Sequence, residues 1–322
     1  MTDRSVLVHV PATVGSFAGA MDCAAMALDH TLNVKVTARP DNHVAIRYFG
    51  ENGERVPRGK TNLVVRAMEA ALRARQREFK GAEVEIYNSV PVGAGLGSSA
   101  AAVLAGLVAA DRLFSLRLEE ATVLDLAAVY EPRLDNLRAA WLGGFVVSTG
   151  STPEAHRRTE VPRHLLLHVI VPEVPTASAT PVQEAPPMEP DAARHLARAA
   201  EVAGFFAGLG SAARELIPVN TAEPPAGRLV PGLDEALAVR HPNALAVFVC
   251  GNGPAVGILA EGDAEASISA VQDCFKRYGL RSGLMQFHPG NNGARELNPG
   301  TLAADWPADS TSPTHKPSLI PV

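Results

Sequence analysis

Cysteine is scarce in this chain of 322 residues: Cys23, Cys250 and Cys274 stand far apart and are odd in number. That excludes a disulfide framework and the paired spacing of a zinc site, and makes a reducing, cytoplasmic location the expectation. An excess of positive charge is lacking as well. With 29 Lys+Arg against 34 Asp+Glu the net charge is −5, so no general affinity for nucleic acid is expected. No unbroken apolar run reaches membrane length, because the one after Ser99 stops at Asp111 and Arg112. The opening MTDRSVLVHVPATV has neither the basic segment nor the apolar core of a signal peptide, which predicts a soluble protein. No internal repeat is visible. What is present is a 47% hydrophobic composition, ample for a sizeable core, and a length that suits two domains or one large one.

Periodicity and turn residues predict the order of elements. SVLVHVPA reads as a strand over 5–10 that ends at Pro11, and TLNVKVTARP and HVAIRYFG as strands around a turn at 40–42. TNLVVRAMEAALRARQREF has helical spacing with Thr61 as N-cap, and Val84 and Ile86 lie on a strand. Helices follow from about Ser98 to Leu116 and over 118–130, then an apolar strand in GGFVVSTG. After Gly150 the composition shifts. A strand over 164–171 precedes six prolines in 172–190, too many for a regular element and suited to a surface connection. Helices near 191–215, 232–240 and 263–278 alternate with the strands ALAVFVC and AVGILA and with two final strands near 283–297, a pattern that suggests a split βαβ sandwich. The Pro/Ser/Thr-rich end of the chain is expected to be unpacked.

Three stretches carry chemistry. In VPVGAGLGSSAAAVLAGLVAA, over 90–110, a glycine loop runs straight into an Ala/Leu/Val helix. Exposed N–H groups and the positive end of the helix dipole suit a phosphate there. No Gly-Lys-Ser/Thr follows, so this is not a Walker A loop, and G-x-G-x-G is not the dinucleotide fingerprint. Glycines that merely let a helix and a strand pack closely are the alternative. Ser98 and Ser99 can cap the helix or turn to a phosphate or its metal ion. VYEPRLDNLRAAWLGGFVVS supplies Glu131, Asp135 and Asn136; Glu131 suits magnesium, while a solvated helix end with an Asp-Asn cap is the plainer reading. CGNGPAVGIL is a tight turn that brings backbone close to something, or an ordinary turn.

Taken in order, these pieces resemble the GHMP small-molecule kinases, named for galactokinase, homoserine, mevalonate and phosphomevalonate kinases. PVGAGLGSSAA resembles their phosphate loop and CGNGPAV their C-terminal glycine turn. Within that superfamily the resemblance runs furthest to the homoserine kinases: VHVPATVGSFAGAMDCAAMAL, TNLV, EPRLDN, AEPPAGRLVPGL and NNGAREL are similar to their successive motifs, over about 5–297. The resemblance implies an α+β, two-domain GHMP kinase fold. Its N-terminal α+β nucleotide-binding domain would span 1–155 and a C-terminal ferredoxin-like split βαβ domain 156–300, leaving 301–322 as the tail whose composition predicts disorder. It also implies ATP held through Pro91, Gly93, Gly95, Leu96, Gly97, Ser98, Ser99, Ala100 and Ala101, with Asn62 near the nucleotide. Mg²⁺ would sit on Ser98 or Ser99 with Glu131. Asp135 and Asn136 would orient the acceptor hydroxyl, without a strong general base. Ser16, Asp22, Arg133, Arg228 and Gly253 would form the acceptor side, with Asp22 meeting an ammonium group or serving as an N-cap.

The departures fall on that acceptor side. Ser16 replaces the family's Asn, AGAM its G-P-G-F, and Arg133 its His; Thr180 and Ala226 stand where arginines that hold a carboxylate are usual. Each lost charge-assisted bond weakens carboxylate binding by about 1.5–3 kcal/mol unless Arg133, Arg228 or Arg295 compensates. Three activities therefore stay open: phosphorylation of L-homoserine to O-phospho-L-homoserine, a step of threonine biosynthesis; phosphorylation of another small alcohol or amino acid; or nucleotide binding without catalysis. The expected partner is a small hydroxyl-bearing substrate, with neither nucleic acid nor membrane, and a homodimer is left open.

Overall fold

The computed structural model describes residues 4–20, 22–50, 53–149, 155–174, 192–208, 230–251 and 253–298. The first strand does not stop at Pro11. β1 (Ser5–Gly15) runs through it, paired antiparallel with β2 (Ala24–Ala38), and the register shifts between Pro11 and Thr13 where β2 carries extra residues. A proline has no N–H for the ladder, and an irregularity of this kind is where a sheet tolerates one. β2 also pairs with β4 (Ala82–Asn88) and with β5 (Phe145–Ser148), β4 lies parallel to β3 (Val44–Gly50), and β5 pairs with β6 (His156–Thr159). The alternating Val6, Val8, Val10, Val34, Val36, Val84 and Ile86 make the buried face of this sheet.

Four helices serve this sheet: α1 (Leu63–Ala74), α2 (Ser98–Phe114), α3 (Glu120–Ala128) and α4 (Leu134–Leu142). The cap of α1 is Asn62 rather than Thr61, and its side chain accepts from the Val64 N–H at 2.9 Å. α1 and α2 cross closely because Gly106 lies against the Val64 carbonyl, where a Cβ would collide. α4 is a helix that apolar periodicity does not announce. It buries Asp135, Asn136 and Arg138 together with Leu137, Ala139 and Ala140, so its polar residues are inside rather than on a solvated end.

The second sheet has strand order β10–β7–β9–β8, all antiparallel: β7 (Leu165–Pro172), β8 (Ala244–Val249), β9 (Val256–Glu261) and β10 (Ser282–Phe287). With α5 (Ala192–Phe206), α6 (Leu233–Leu237) and α7 (Glu265–Lys276) this is the expected split βαβ topology. Successive residues of β8 face opposite cores: Val247 and Val249 lie with Phe275 and Val271 of α7, while Ala246 and Phe248 join the large core. Phe17, Phe145 (β5), Phe206 (α5) and Phe248 (β8) form an aromatic cluster with centroids 4.6–5.9 Å apart, joining the two layers.

The final strand belongs elsewhere than expected. β11 (Arg295–Leu297) pairs with β1, so it and β6 extend the larger sheet from beyond residue 155 instead of completing the second half. Most of the proline-rich segment and all of the C-terminal tail lie outside the described residues. Among the described residues no helix is long and apolar enough to cross a membrane.

Candidate active site

The loop between β4 and α2 holds three left-handed glycines, Gly93, Gly95 and Gly97, at φ of +83°, +78° and +71°. Their surroundings separate their reasons. A Cβ on Gly95 would run into the Cys250 carbonyl, and one on Gly97 into the Thr13 hydroxyl, so those two are glycine for close packing. A Cβ on Gly93 would meet nothing nearer than Arg55 Nη1 at 3.7 Å. Packing therefore accounts for two of the three, and the exposed Gly93 leaves open space beside a guanidinium. Arg55, in a short 3-10 turn (Gly53–Arg55), has no apolar periodicity to flag it in the sequence. Pro91 and Ser98 are partly exposed along the loop, whereas Leu96, Ala100 and Ala101 are buried beneath it.

Gly97 caps α2 with backbone alone, and among the described residues no side chain caps the first turn at Ser98, Ser99 and Ala100. Glu131, just before α4, accepts from the Arg133 N–H at 3.2 Å. Burial raises the Glu131 pKa, opposed by that hydrogen bond, by the nearby Ser99 hydroxyl and by the Arg133 charge. A serine hydroxyl and a carboxylate near one another at a helix start are oxygen donors of the kind that fits a hard divalent cation beside phosphates. Among the described residues no group of three or more His, Cys, Asp or Glu could hold a metal alone. Asn62 is engaged locally: besides the cap, its Nδ2 donates to the Pro57 carbonyl at 2.8 Å.

A second cluster lies beside the first, at the C-terminal end of β1. Arg133 Nη2 donates to Asp135 Oδ2 at 3.0 Å and to Ser16 Oγ at 2.9 Å, and it pairs with Asp22 at 3.4 Å. Desolvation disfavours the buried guanidinium, yet Asp135, Asp22 and Glu131 together raise its pKa. Asp135 Oδ2 also accepts the Ser16 N–H at 3.3 Å. Asp135, with 0% exposure, fixes Arg133 and the Ser16 backbone. Asn136 is likewise buried and accepts from the Thr13 hydroxyl at 3.0 Å. The pair expected to orient the acceptor hydroxyl thus lies within the Arg133 cluster, beneath the Ser16 end of β1. Asp22 is at the mouth, with 60% of its side chain accessible. Even so, desolvation is the main force raising its pKa and Asp135 adds to it, with Arg133 and His195 pulling the other way.

The glycine turn at 250–254 joins the two clusters. The Gly251 N–H donates to the Gly15 carbonyl at 3.0 Å, and Gly251 is packed on the Gly95 backbone. The Gly253 N–H donates to the Cys250 carbonyl at 2.9 Å, closing the turn. What that turn approaches is thus the glycine loop between β4 and α2. Arg228, Thr180 and Ala226 lie outside the described residues. Arg295 lines a separate cavity of about 530 Å³ with His9, Arg163 and His288, which none of the loop or Arg133-cluster residues line.

The family model described as "GHMP kinases N terminal domain" matches residues 62–144, and that described as "GHMP kinases C terminal" matches 199–277. The chain belongs to the GHMP kinases. This GHMP kinase is 35% identical over 278 residues to the homoserine kinase of Thermus thermophilus, covering 84% of this chain and 91% of that one. It is 30% identical over 294 residues to the homoserine kinase of Moorella thermoacetica, covering 89% and 98%. In fold it is similar to the crystal structure of homoserine kinase from Cytophaga hutchinsonii, with a TM-score of 0.72 at 24% identity over 92% of this chain and 98% of that one. Lactococcus lactis galactokinase complexed with galactose has a TM-score of 0.65 at 15% identity, over 92% and 96%. Membership makes the protein an ATP-dependent small-molecule kinase that uses a divalent metal.

Proposed function

We propose that this kinase transfers the γ-phosphoryl group of ATP to the side-chain hydroxyl of L-homoserine. The observation that carries the reading is the near-full-length similarity to homoserine kinases at 30–35% identity, joined to a carboxylate at the mouth of the second cluster. Asp22 there would meet the acceptor's ammonium group, with Ser16 and Arg133 beside it. The main-chain N–H groups of 93–101 would wrap the phosphates, with the Arg55 guanidinium flanking them beside Gly93. Ser98 or Ser99 with Glu131 would hold magnesium, which when bound supplies charge neutralisation to the phosphates. Phosphoryl transfer has a loose transition state, so the chain's task is to align the acceptor hydroxyl and surround the phosphates with fixed donors. A strong base is not required, which agrees with an Asp135 that is wholly engaged by Arg133 and Ser16.

A coupled assay of ADP release with Mg-ATP and a panel of amino and hydroxy acids tests this. Turnover with homoserine in the ordinary enzyme range of about 1–10³ s⁻¹ is expected. Turnover only with another alcohol would replace the acceptor. That second reading is favoured by Thr180 and Ala226, which stand at positions where the resemblance leads one to expect arginines. No turnover with any acceptor would leave nucleotide binding alone.

A further inference from the structure

Residues 16–20, with Asp22 just beyond them, have a backbone that is not adopted readily. Ser16, Ala18 and Asp22 all have left-handed φ, at 55°, 49° and 54°. Side chains other than glycine stay in that region only when their surroundings hold them there. Inside the turn, the Gly19 N–H donates to Ser16 and the Ala20 N–H to Phe17. The carbonyls of Ala18 and Gly19 are met from outside. His195 Nδ1 lies 2.8 Å from the Gly19 oxygen and Arg198 Nε donates to the Ala18 oxygen at 3.1 Å. Both side chains come from α5, three residues apart and so on one helix face, and both are buried, at 5% and 6% exposure. Arg198 is completed by Glu201 at 2.8 Å. Phe206, further along α5, packs against Phe17 of the same turn.

We infer that His195 and Arg198 are positioning residues: two adjacent carbonyl clamps on α5 that hold the Ser16–Ala20 turn, next to Asp22, in the conformation that binds the acceptor. The inference rests on the proposal that this turn serves the acceptor. Nothing on α5 approaches the phosphate loop through these two bonds, so their loss falls on one substrate. The two side chains also make α5, an element of the second half of the chain, part of the acceptor side of the first.

The test is steady-state kinetics on the full chain, with whichever acceptor the panel shows to be turned over. Arg198→Ala and His195→Ala should each raise the acceptor KM by about tenfold or more while the ATP KM stays within about twofold. His195→Asn keeps a donor where Nδ1 stands, and Arg198→Lys keeps a cation within reach of Ala18; both should recover most of the acceptor affinity. Thermal unfolding run in parallel identifies a variant that merely fails to fold, and the two conservative variants then carry the test. Parallel rises in both KM values, or alanine variants with wild-type acceptor KM, would overturn the inference. Asp22→Asn separates the two ideas. If it leaves acceptor KM unchanged, the acceptor reading of the turn is wrong; if it raises acceptor KM while the α5 variants do not, only the clamp is wrong.

Discussion

Gly93 and Gly95 share a left-handed backbone but differ in what surrounds them, and alanine at each position separates ligand space from packing space. An alanine at φ near +80° costs about 1–2 kcal/mol in backbone strain. For Gly93→Ala that is the whole expense, because the new methyl meets only the end of a flexible arginine at 3.7 Å. Gly95→Ala adds a collision with the Cys250 carbonyl, a backbone atom in a turn that the Gly251–Gly15 hydrogen bond holds in place. Overpacking of that kind adds about 1–3 kcal/mol, for a total of roughly 2–5 kcal/mol. Urea denaturation of both variants should therefore order them Gly95→Ala well below Gly93→Ala, which lies slightly below wild type. Kinetics should reverse the emphasis. The Gly93 methyl projects into the space assigned to the phosphates, so the folded variant should show an ATP KM raised by about tenfold or more, with acceptor KM little changed. Equal stability of the two variants would refute the packing argument, and a wild-type ATP KM for Gly93→Ala would refute the assignment of that space.

Other expectations follow from the same contacts. Glu131→Ala should abolish Mg-ATP turnover while circular dichroism shows an intact fold; unchanged activity would remove Glu131 from the metal site. Burial holds the Glu131 carboxyl above its ordinary 4.5, so ionisation penalises the folded state at neutral pH and the penalty vanishes below the unfolded value. Glu131→Gln should then be more stable than wild type at pH 7, with the gain fading as the pH falls towards about 4.5; a gain that does not vary with pH would contradict this. Asp135→Ala strips the largely enclosed Arg133 of its closest charged partner and should lower stability by on the order of 3 kcal/mol in urea titration. Asp22→Asn, at an accessible side chain, should change stability by no more than about 0.5 kcal/mol. Asn62→Ala should cost about 1 kcal/mol as a lost cap; an unchanged ATP KM would confine Asn62 to that cap, and a large rise would place it at the nucleotide.

Much of the fold was legible because its signals are local. The glycine loop, the apolar helix behind it and the alternation of Val247 and Val249 with Ala246 and Phe248 can be read from a short window. The positions that misled depend on partners distant in sequence. Pro11 stays in a strand because β2 supplies an irregularity opposite it, and β11 joins β1 across nearly the whole chain. α4 has no polar face to reveal it, since Asp135, Asn136 and Arg138 are buried rather than solvated, the first two against Gly15 and Thr13. In the candidate site, Glu131 and Asp22 were readable as residue types in a recognisable order. Arg55, His195 and Arg198 were not, because each matters only through a carbonyl or a space that another segment provides.

The central claim is that the amides at the start of α2 receive the phosphates of ATP. Hydrogen–deuterium exchange of the peptides covering 91–101, with and without ATP and magnesium, tests it most directly. Nucleotide should slow exchange at Ser98, Ser99 and Ala100, whose N–H groups have no side-chain cap among the described residues. Bound nucleotide with unchanged exchange across those residues would contradict the account.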